Sequence, residues 1–275
     1  MITIHIGYPK SLSSSLQRTV FPKSERISFM GCGTDGELGY YDSNIENIFE
    51  VYLKTSKTYM WEQSKGDLRR LLQNAIKNEI QLHPNKNIVF SSENICYGLS
   101  LDCLDFETKL ERLKYLFEGF ELRFLIILRN QWSLLKSLFK ESIRMGYPFG
   151  FDVYIREFFL YQDRNAYHDF NFNRCANCIQ RTFPKSDLIF FLFEDLVYNS
   201  QLKVQEDGES IIDKKLEAVF GIETTKTRLG HKNPPESLPT LMKMSKLNRT
   251  RRHGLGNSAM STPEKHRMKK WIESK

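Results

Sequence analysis

The stretch that decides the fold is MITIHIGYPKSLSSSLQRTV, residues 1–20. Ile2–Gly7 alternates β-branched with other residues and stops at Gly7-Tyr8-Pro9, which predicts a strand ending in a tight loop. Leu16 and Val20 then fall at helical spacing behind a run of serines, whose hydroxyls suit an N-cap. Strand, tight loop, helix is the opening of an α/β nucleotide-binding fold.

The same alternation continues outward. Arg26–Met30 predicts a second strand, and Gly31–Ser43, with four glycines, a mobile loop. Residues 44–80 read as helices, with Ile45, Ile48, Phe49 and Leu53 on one apolar face and Leu68, Leu71, Leu72 and Ile76 on another. Asn87–Ser92 is a third strand and Phe106–Phe117 a helix. Leu122–Leu128 (LRFLIIL) is the strongest strand, apolar enough to sit centrally with both faces covered. Gln131–Met145 is helical and Leu188–Phe193 a further strand. The pattern predicts a three-layer, P-loop-like α/β fold with a mostly parallel central sheet flanked by helices. Beyond Thr224, Pro234-Pro235 interrupts the chain, Leu238–Leu247 suggests a short helix, and Asn248–Arg252 is basic. Residues 225–275 are too few for an independent core. They read as a cap over the cofactor or acceptor site of one domain spanning 1–275.

Forty Lys and Arg against 33 acidic residues give a net charge of +7 and a pI near 9.0. This favours an anionic partner, but the excess is spread along the chain, unlike a nucleic-acid footprint. The longest apolar runs, Phe124–Leu128 and Leu188–Phe193, are strand-sized and far short of the ~20 residues a membrane span needs. The N-terminal residues show neither a basic lead-in nor a small-residue cleavage site. Cys32, Cys96, Cys103, Cys175 and Cys178 are an odd set with no export signal, so they read as reduced thiols. The expectation is a soluble cytoplasmic protein with no nucleic-acid or membrane partner and an undetermined oligomeric state.

Two segments carry chemistry. In Gly7-Tyr8-Pro9-Lys10-Ser11-Leu12-Ser13-Ser14-Ser15-Leu16 a strand ends, a cation follows, and hydroxyls arrive at a helix N-terminus. Free N–H groups and the positive end of the helix dipole make an anion site there, and a lysine can bond phosphate oxygens. The plainer alternative is an N-capped helix with a solvated lysine. The segment is not a Walker A loop, which needs Gly-x4-Gly-Lys-Ser/Thr: Lys10 precedes the hydroxyls and no second glycine is in register. In Leu128-Arg129-Asn130-Gln131 followed by Ser137, Arg129 stands at the C-terminal end of a strand, where open α/β sheets bind ligands. Ser137 lies about two helical turns on. An arginine fork plus a hydroxyl suits a second phosphate; an ion pair at the sheet edge is the alternative.

Together these segments resemble the sulfotransferases that use 3′-phosphoadenosine 5′-phosphosulfate (PAPS), and the texture resembles the compact bacterial, cytosolic-type members. The family's first loop, Pro-Lys-Ser/Thr-Gly-Thr/Ser-Thr/Ser, is similar to Pro9-Lys10-Ser11-Leu12-Ser13-Ser14. Its Arg-Asn-Pro with a serine eight residues on is similar to Arg129-Asn130-Gln131 with Ser137. Phe193-Glu194-Asp195-Leu196 resembles its Tyr-Glu-Asp-Leu, and Phe220-Gly221-Ile222 its Phe-Leu-Gly-Ile. Order and spacing agree over roughly the first 225 residues. The resemblance implies that Lys10 and Ser11–Ser15 hold the 5′-phosphosulfate and that Arg129 and Ser137 hold the 3′-phosphate. Transfer would then be metal-free and in line, with Lys10 stabilising charge on the leaving phosphate oxygen. Two departures stand out: Leu12 replaces a glycine, which strains the loop if φ there is positive, and Gln131 replaces a proline.

The base is expected where the family's Lys-Thr-His strand end carries it. Here that position is Glu93 in Ser91-Ser92-Glu93, a carboxylate at a buried strand's rim whose pKa burial should raise; an N-cap or a structural ion pair is the alternative. His231, His253 and His266 are rival bases. Arg251-Arg252-His253-Gly254-Leu255-Gly256-Asn257 resembles, one residue short, the family's Arg-Lys-Gly-x-x-Gly-Asp clamp on the 3′-phosphate, and it also reads as a basic tail. Cys175 and Cys178 have metal-like spacing without a second pair, which favours small core residues over zinc. Phe158, Phe159, Tyr161, Tyr167, Phe170 and Phe172 read as core packing, and Tyr40, Tyr41 and Trp61 as an acceptor-pocket lining. The acceptor is expected to be a small molecule or carbohydrate presenting a hydroxyl, or a carbamoyl or amine nitrogen. The rivals are an ATP-dependent phosphotransferase, with Asp195 holding magnesium, and a basic polyanion-binding module.

Overall fold

Five short strands rich in β-branched and aromatic residues, each followed by a helical segment, leave parallel pairing as the topology that buries both faces of a sheet. The computed structural model describes residues 1–32, 40, 42–96, 104–161, 170–196, 211–220 and 238–255. Its strands are β1 Ile2–Ile6, β2 Ile27–Cys32, β3 Asn87–Ser92, β4 Leu122–Leu128 and β5 Asp187–Leu192. They form one sheet in the order β2-β3-β1-β4-β5, with every pair parallel. The expected strands are all present, and the sheet is wholly parallel. The middle place belongs to β1, however, with β4 between β1 and β5. Hydropathy ranks β4 higher because β1 carries Thr3 and His5, yet all five β1 residues are buried.

Helical segments cover both faces. After β1 the chain runs through α1 (Ser13–Ser15), a π-helical turn (Leu16–Val20) and a 3-10 turn (Phe21–Lys23). The other helices are α2 (Ser43–Asn47), continued by a π-helical turn (Ile48–Tyr52), α3 (Thr58–Leu82), α4 (Phe106–Leu116), α5 (Gln131–Arg144), α6 (Phe151–Leu160), α7 (Phe172–Thr182), α8 (Ile211–Phe220) and α9 (Leu238–Leu255). Strand register puts Val89, Leu125, Ile127 and Phe191 on one face, where Leu16, Val20, Phe21, Leu216 and Phe220 close over them. On the other face Phe90 stacks on Phe49 and meets the edge of Phe117, while Phe124 packs on Phe183.

The described chain divides into two compact units. One draws on Met1–Asn130 and Asp163–Gly230 and holds the sheet; the other draws on Gln131–Gln162 and His231–Lys275. In the second unit Ile143, Leu241 and Met244 form a core joined by Phe139 and Leu247. Asn248 donates from Nδ2 to the carbonyls of Ile143 (2.8 Å) and Tyr147 (3.0 Å). Because that side chain satisfies the end of α5, it does not stop its own helix, and α9 runs to Leu255 rather than ending near Leu247. Phe159 and Tyr161 are exposed and Phe170 is buried, so the aromatic series packs only in part. Tyr167 and most of the glycine-rich stretch lie outside the described residues.

One buried polar cluster sits inside the sheet's first face. His5 Nδ1 lies 2.6 Å from Ser91 Oγ, which also accepts from Gln17 Nε2 at 2.8 Å. Burial pushes the His5 imidazole down to about 3 from 6.5, so it is neutral at physiological pH. Between pH 6.5 and 3 the unfolded chain binds a proton that the folded chain refuses. The resulting stability is complete above pH 6.5 and is lost as pH falls towards 3, at about 1.4 kcal/mol per pH unit. His5→Asn removes the titrating ring, so its unfolding free energy should fall less steeply with acid than the wild type's. Urea midpoints at pH 7, 5.5 and 4 check this; equal slopes would reject it.

Candidate functional site

β1 ends at Ile6, and the chain leaves the sheet through Gly7, whose N–H donates to the Ser92 carbonyl of β3 (3.4 Å). A Cβ at position 7 would stand 2.5 Å from Ser13 Oγ and 2.9 Å from Glu93 Cγ. Glycine is therefore favoured here by close approach, not by a turn. The same crowding places the Glu93 side chain against the loop's entrance, beside Ser13. Tyr8 is buried and donates its hydroxyl to Cys175 Sγ (3.1 Å) on α7. Burial and the neighbouring thiols Cys96 and Cys175 hold the phenol well above its usual range.

The loop then turns through two non-glycine residues of positive φ, Lys10 at 61° and Leu12 at 66°. Such backbone is costly for L-residues and concentrates at ligand-binding segments. Leu12 is left-handed (ψ 3°) and is itself the N-cap; no side chain caps the helix. The serines therefore do not cap as expected. The Leu12 carbonyl accepts from Ser15 and Leu16 N–H (2.9 and 3.0 Å). Ser13 Oγ instead donates to the Tyr8 carbonyl (3.3 Å), Ser14 is exposed, and Ser15 accepts from Thr19 at its carbonyl. The left-handed Leu12 is offset by packing, since its side chain rests on the cluster formed by Leu16, Phe21 and Phe220. Ser11 Oγ is fully buried with no hydrogen-bond partner.

Arg129 follows β4 directly. Its Nη1 donates to the Lys10 carbonyl at 2.6 Å, and its guanidinium lies 4.3 Å from the Phe193 ring centre. Glu194 Oε1 accepts the N–H of Asn130 (2.9 Å). Burial lowers the Arg129 pKa and Glu194 opposes that shift; a guanidinium so placed stays charged. Its Nε is buried without a partner. The two segments read from the sequence thus meet at one hydrogen bond, and Phe193-Glu194 is the platform beneath the second. That platform was legible only as a motif, because stacking and capping partners 64 residues apart leave no local spacing signal.

The remaining residues divide. Ser137 is on α5, and Arg252, His253 and Gly254 are on the last turn of α9, both in the second compact unit. The stretch expected as a basic glycine loop is helical through Leu255. His231, His266 and Tyr41 lie outside the described residues. Tyr40 stacks on Phe49, and Trp61 is buried against Arg112 and Tyr115. Cys175 and Cys178 are buried on α7, the latter bonded to Glu107. Among the described residues no three of His, Cys, Asp and Glu gather as a metal site, and no helix is long and apolar enough to cross a membrane. A cavity of about 540 Å³ opens near Tyr115, Phe120, Glu121, Phe183 and Lys185. Glu121 precedes β4 and Leu122 begins it, so this is the sheet's opposite end from Arg129.

No protein-family model matches this chain, and no curated protein does. A crystal structure of a sulfotransferase from Alicyclobacillus acidocaldarius aligns with 92% of this chain and 94% of its own, at 12% identity and a TM-score of 0.48.

Two substitutions test the loop. Gly7→Ala must displace Ser13 or Glu93, and urea unfolding should show a loss of about 1–3 kcal/mol; a neutral result would mean that the crowding relaxes freely. Leu12→Gly relieves roughly 1 kcal/mol of left-handed strain. It also forfeits about 1–2 kcal/mol of apolar burial and gains unfolded-chain freedom. The expected net is a loss of about 1 kcal/mol by the same measurement, and a gain would show that strain outweighs packing.

Proposed function

We propose that this protein is a PAPS-dependent sulfotransferase acting in the cytoplasm on a small-molecule or carbohydrate acceptor. The observation that carries the reading is the junction of the two anion-type segments. Arg129 bonds the Lys10 carbonyl while its own Nε and the buried Ser11 hydroxyl remain unmet. Buried polar groups without partners are rare and costly, and phosphate oxygens admitted by a shift of the loop would satisfy both. The resemblance of the Pro9–Ser14 and Arg129–Ser137 segments to the family's phosphosulfate and 3′-phosphate motifs names the ligand chemistry.

In this reading Lys10 and the 11–15 loop take the 5′-phosphosulfate and Arg129 the 3′-phosphate. The acceptor oxygen or nitrogen attacks sulfur, its bond to sulfur forms as the bridging S–O bond breaks, and its proton passes to Glu93. The electron pair leaves on the phosphate oxygen, where Lys10 stabilises the growing charge. Glu93 suits the role because the crowding at Gly7 sets it at the loop's entrance.

Calorimetric titration with 3′,5′-adenosine bisphosphate, 5′-AMP and metal-free ATP tests the donor. The bisphosphate should bind at least tenfold more tightly than AMP. Arg129→Ala should remove that preference, a loss on the order of 10–100-fold for charged hydrogen bonds. Lys10→Ala should cost PAPS turnover on the order of 10²–10³. Equal affinity for bisphosphate and AMP would sink the reading, and steeply salt-dependent binding of any polyanion would favour a basic binding module.

A further inference from the structure

We propose that Glu50 is a positioning residue, holding in place the turn that carries Glu93; as a statement about catalysis this rests on the sulfotransferase reading. β3 ends at Ser92, and residues 93–96 form a turn beyond the sheet ladder. What fixes that turn is Asn94, the residue after Glu93, which is gripped at three points. Its N–H donates to Ser92 Oγ (3.2 Å), its carbonyl accepts from Lys109 Nζ (2.9 Å), and its Nδ2 donates to Glu50 Oε2 (2.7 Å). The other oxygen of Glu50 accepts from Tyr40 Oη (3.0 Å), and Lys54 Nζ reaches Oε2 at 3.0 Å. A carboxylate whose two oxygens already accept three bonds serves as an anchor, not as a proton acceptor.

The anchor is itself tied down. Glu50 sits in the π-helical turn Ile48–Tyr52. Arg112 donates to the carbonyl of Tyr52, which ends this turn, at 2.6 Å and to that of Thr55 just beyond it at 2.9 Å. Lys109 and Arg112, three residues apart on α4, are 2% and 4% exposed. One helix therefore delivers two buried cations, one to the carbonyl of Asn94 and one to the segment bearing Glu50. Burying two cations costs more than a surface helix contact requires. Their common effect is to join Glu50 and Asn94 rigidly. A misplacement of about 1 Å at a reacting group can cost on the order of 10²-fold in rate, which gives such a clamp its use.

The test uses Glu50→Ala, Glu50→Gln and Asn94→Ala, the last cutting the same bond from the other side while leaving Tyr40 and Lys54 on Glu50. Backbone hydrogen exchange over residues 92–96, which needs no ligand, should quicken at least tenfold in both alanine variants and less in Glu50→Gln, whose carbonyl can still accept. In PAPS hydrolysis, with water in the acceptor's place, kcat should fall about 10–100-fold in the alanine variants. Bisphosphate affinity should stay within twofold. Glu50→Ala combined with Glu93→Gln should be no slower than Glu93→Gln alone, because both act through one carboxylate. Unchanged exchange in both alanine variants overturns the proposal, as do independent, multiplying losses in the double variant. If the wild type does not prefer the bisphosphate to AMP, the donor reading falls separately. The exchange arm then decides the clamp: quickened exchange upholds it and unchanged exchange removes it.

Discussion

The first unit is organised by one crowded passage. β1 lies between β3 and β4, so a chain leaving its C-terminal end must pass between the ends of both neighbours. At Gly7 the passage narrows until an added Cβ would crowd the side chains of Ser13 and Glu93. From that point the loop has few options. It is held on one side by Tyr8, whose ring meets Phe172 and whose hydroxyl reaches Cys175. On the other side the Arg129 guanidinium holds it through the Lys10 carbonyl. Two positive-φ residues follow because the chain must reverse within five positions and enter a helix. The strain of that reversal is carried by neighbours that pack: Leu12 on the core below, Arg129 on Phe193.

This explains why polar groups are tolerated at the centre of the sheet. Thr3, His5 and Ser91 are fully buried, Thr3 and His5 on a strand whose other residues are isoleucines. Ser91 lies one residue before the carbonyl that takes the Gly7 N–H, and Gln17 ties it to the helical segment after the loop. The network therefore links β1, β3 and the π-helical turn that follows the loop. An apolar core there would gain burial energy but would not fix the helix in register with the strand ends.

Much of this arrangement was legible in the sequence. Strand positions followed from short apolar runs between turn signals, because those runs answer to local burial alone. The central place of β1 was not legible, since His5 and Thr3 lower its hydropathy and their buried partners are 86 residues or more away in chain or unpaired. Serine capping was a sound local expectation that failed for a tertiary reason. The loop arrives left-handed, so Leu12 occupies the cap and Ser13 turns back to Tyr8. Lys10 and Arg129 were picked out by residue type beyond strand ends and Glu93 by the resemblance to the family's base position, and the structure brings Arg129 to the loop bearing Lys10 and Glu93 to its entrance.

Glu50 shows the limit of such reading. In sequence it is one of several acidic residues on a helical stretch, four before Lys54, a spacing that reads as a solvated i,i+4 pair. The pair exists, yet the informative bond is to Asn94, 44 residues on. Nothing local marks it, because the need for it arises only where β3 has ended and the turn has lost its ladder. Candidate catalytic groups at strand ends share this weakness: the sheet fixes the strand's last residue, and the next one depends on side chains brought from elsewhere. Here the supply comes from α4, whose Lys109 and Arg112 reach carbonyls of the two segments at once. A helix that is polar by composition thus becomes a buried brace. The turn that carries Glu93 is held by that brace as well as by the sheet.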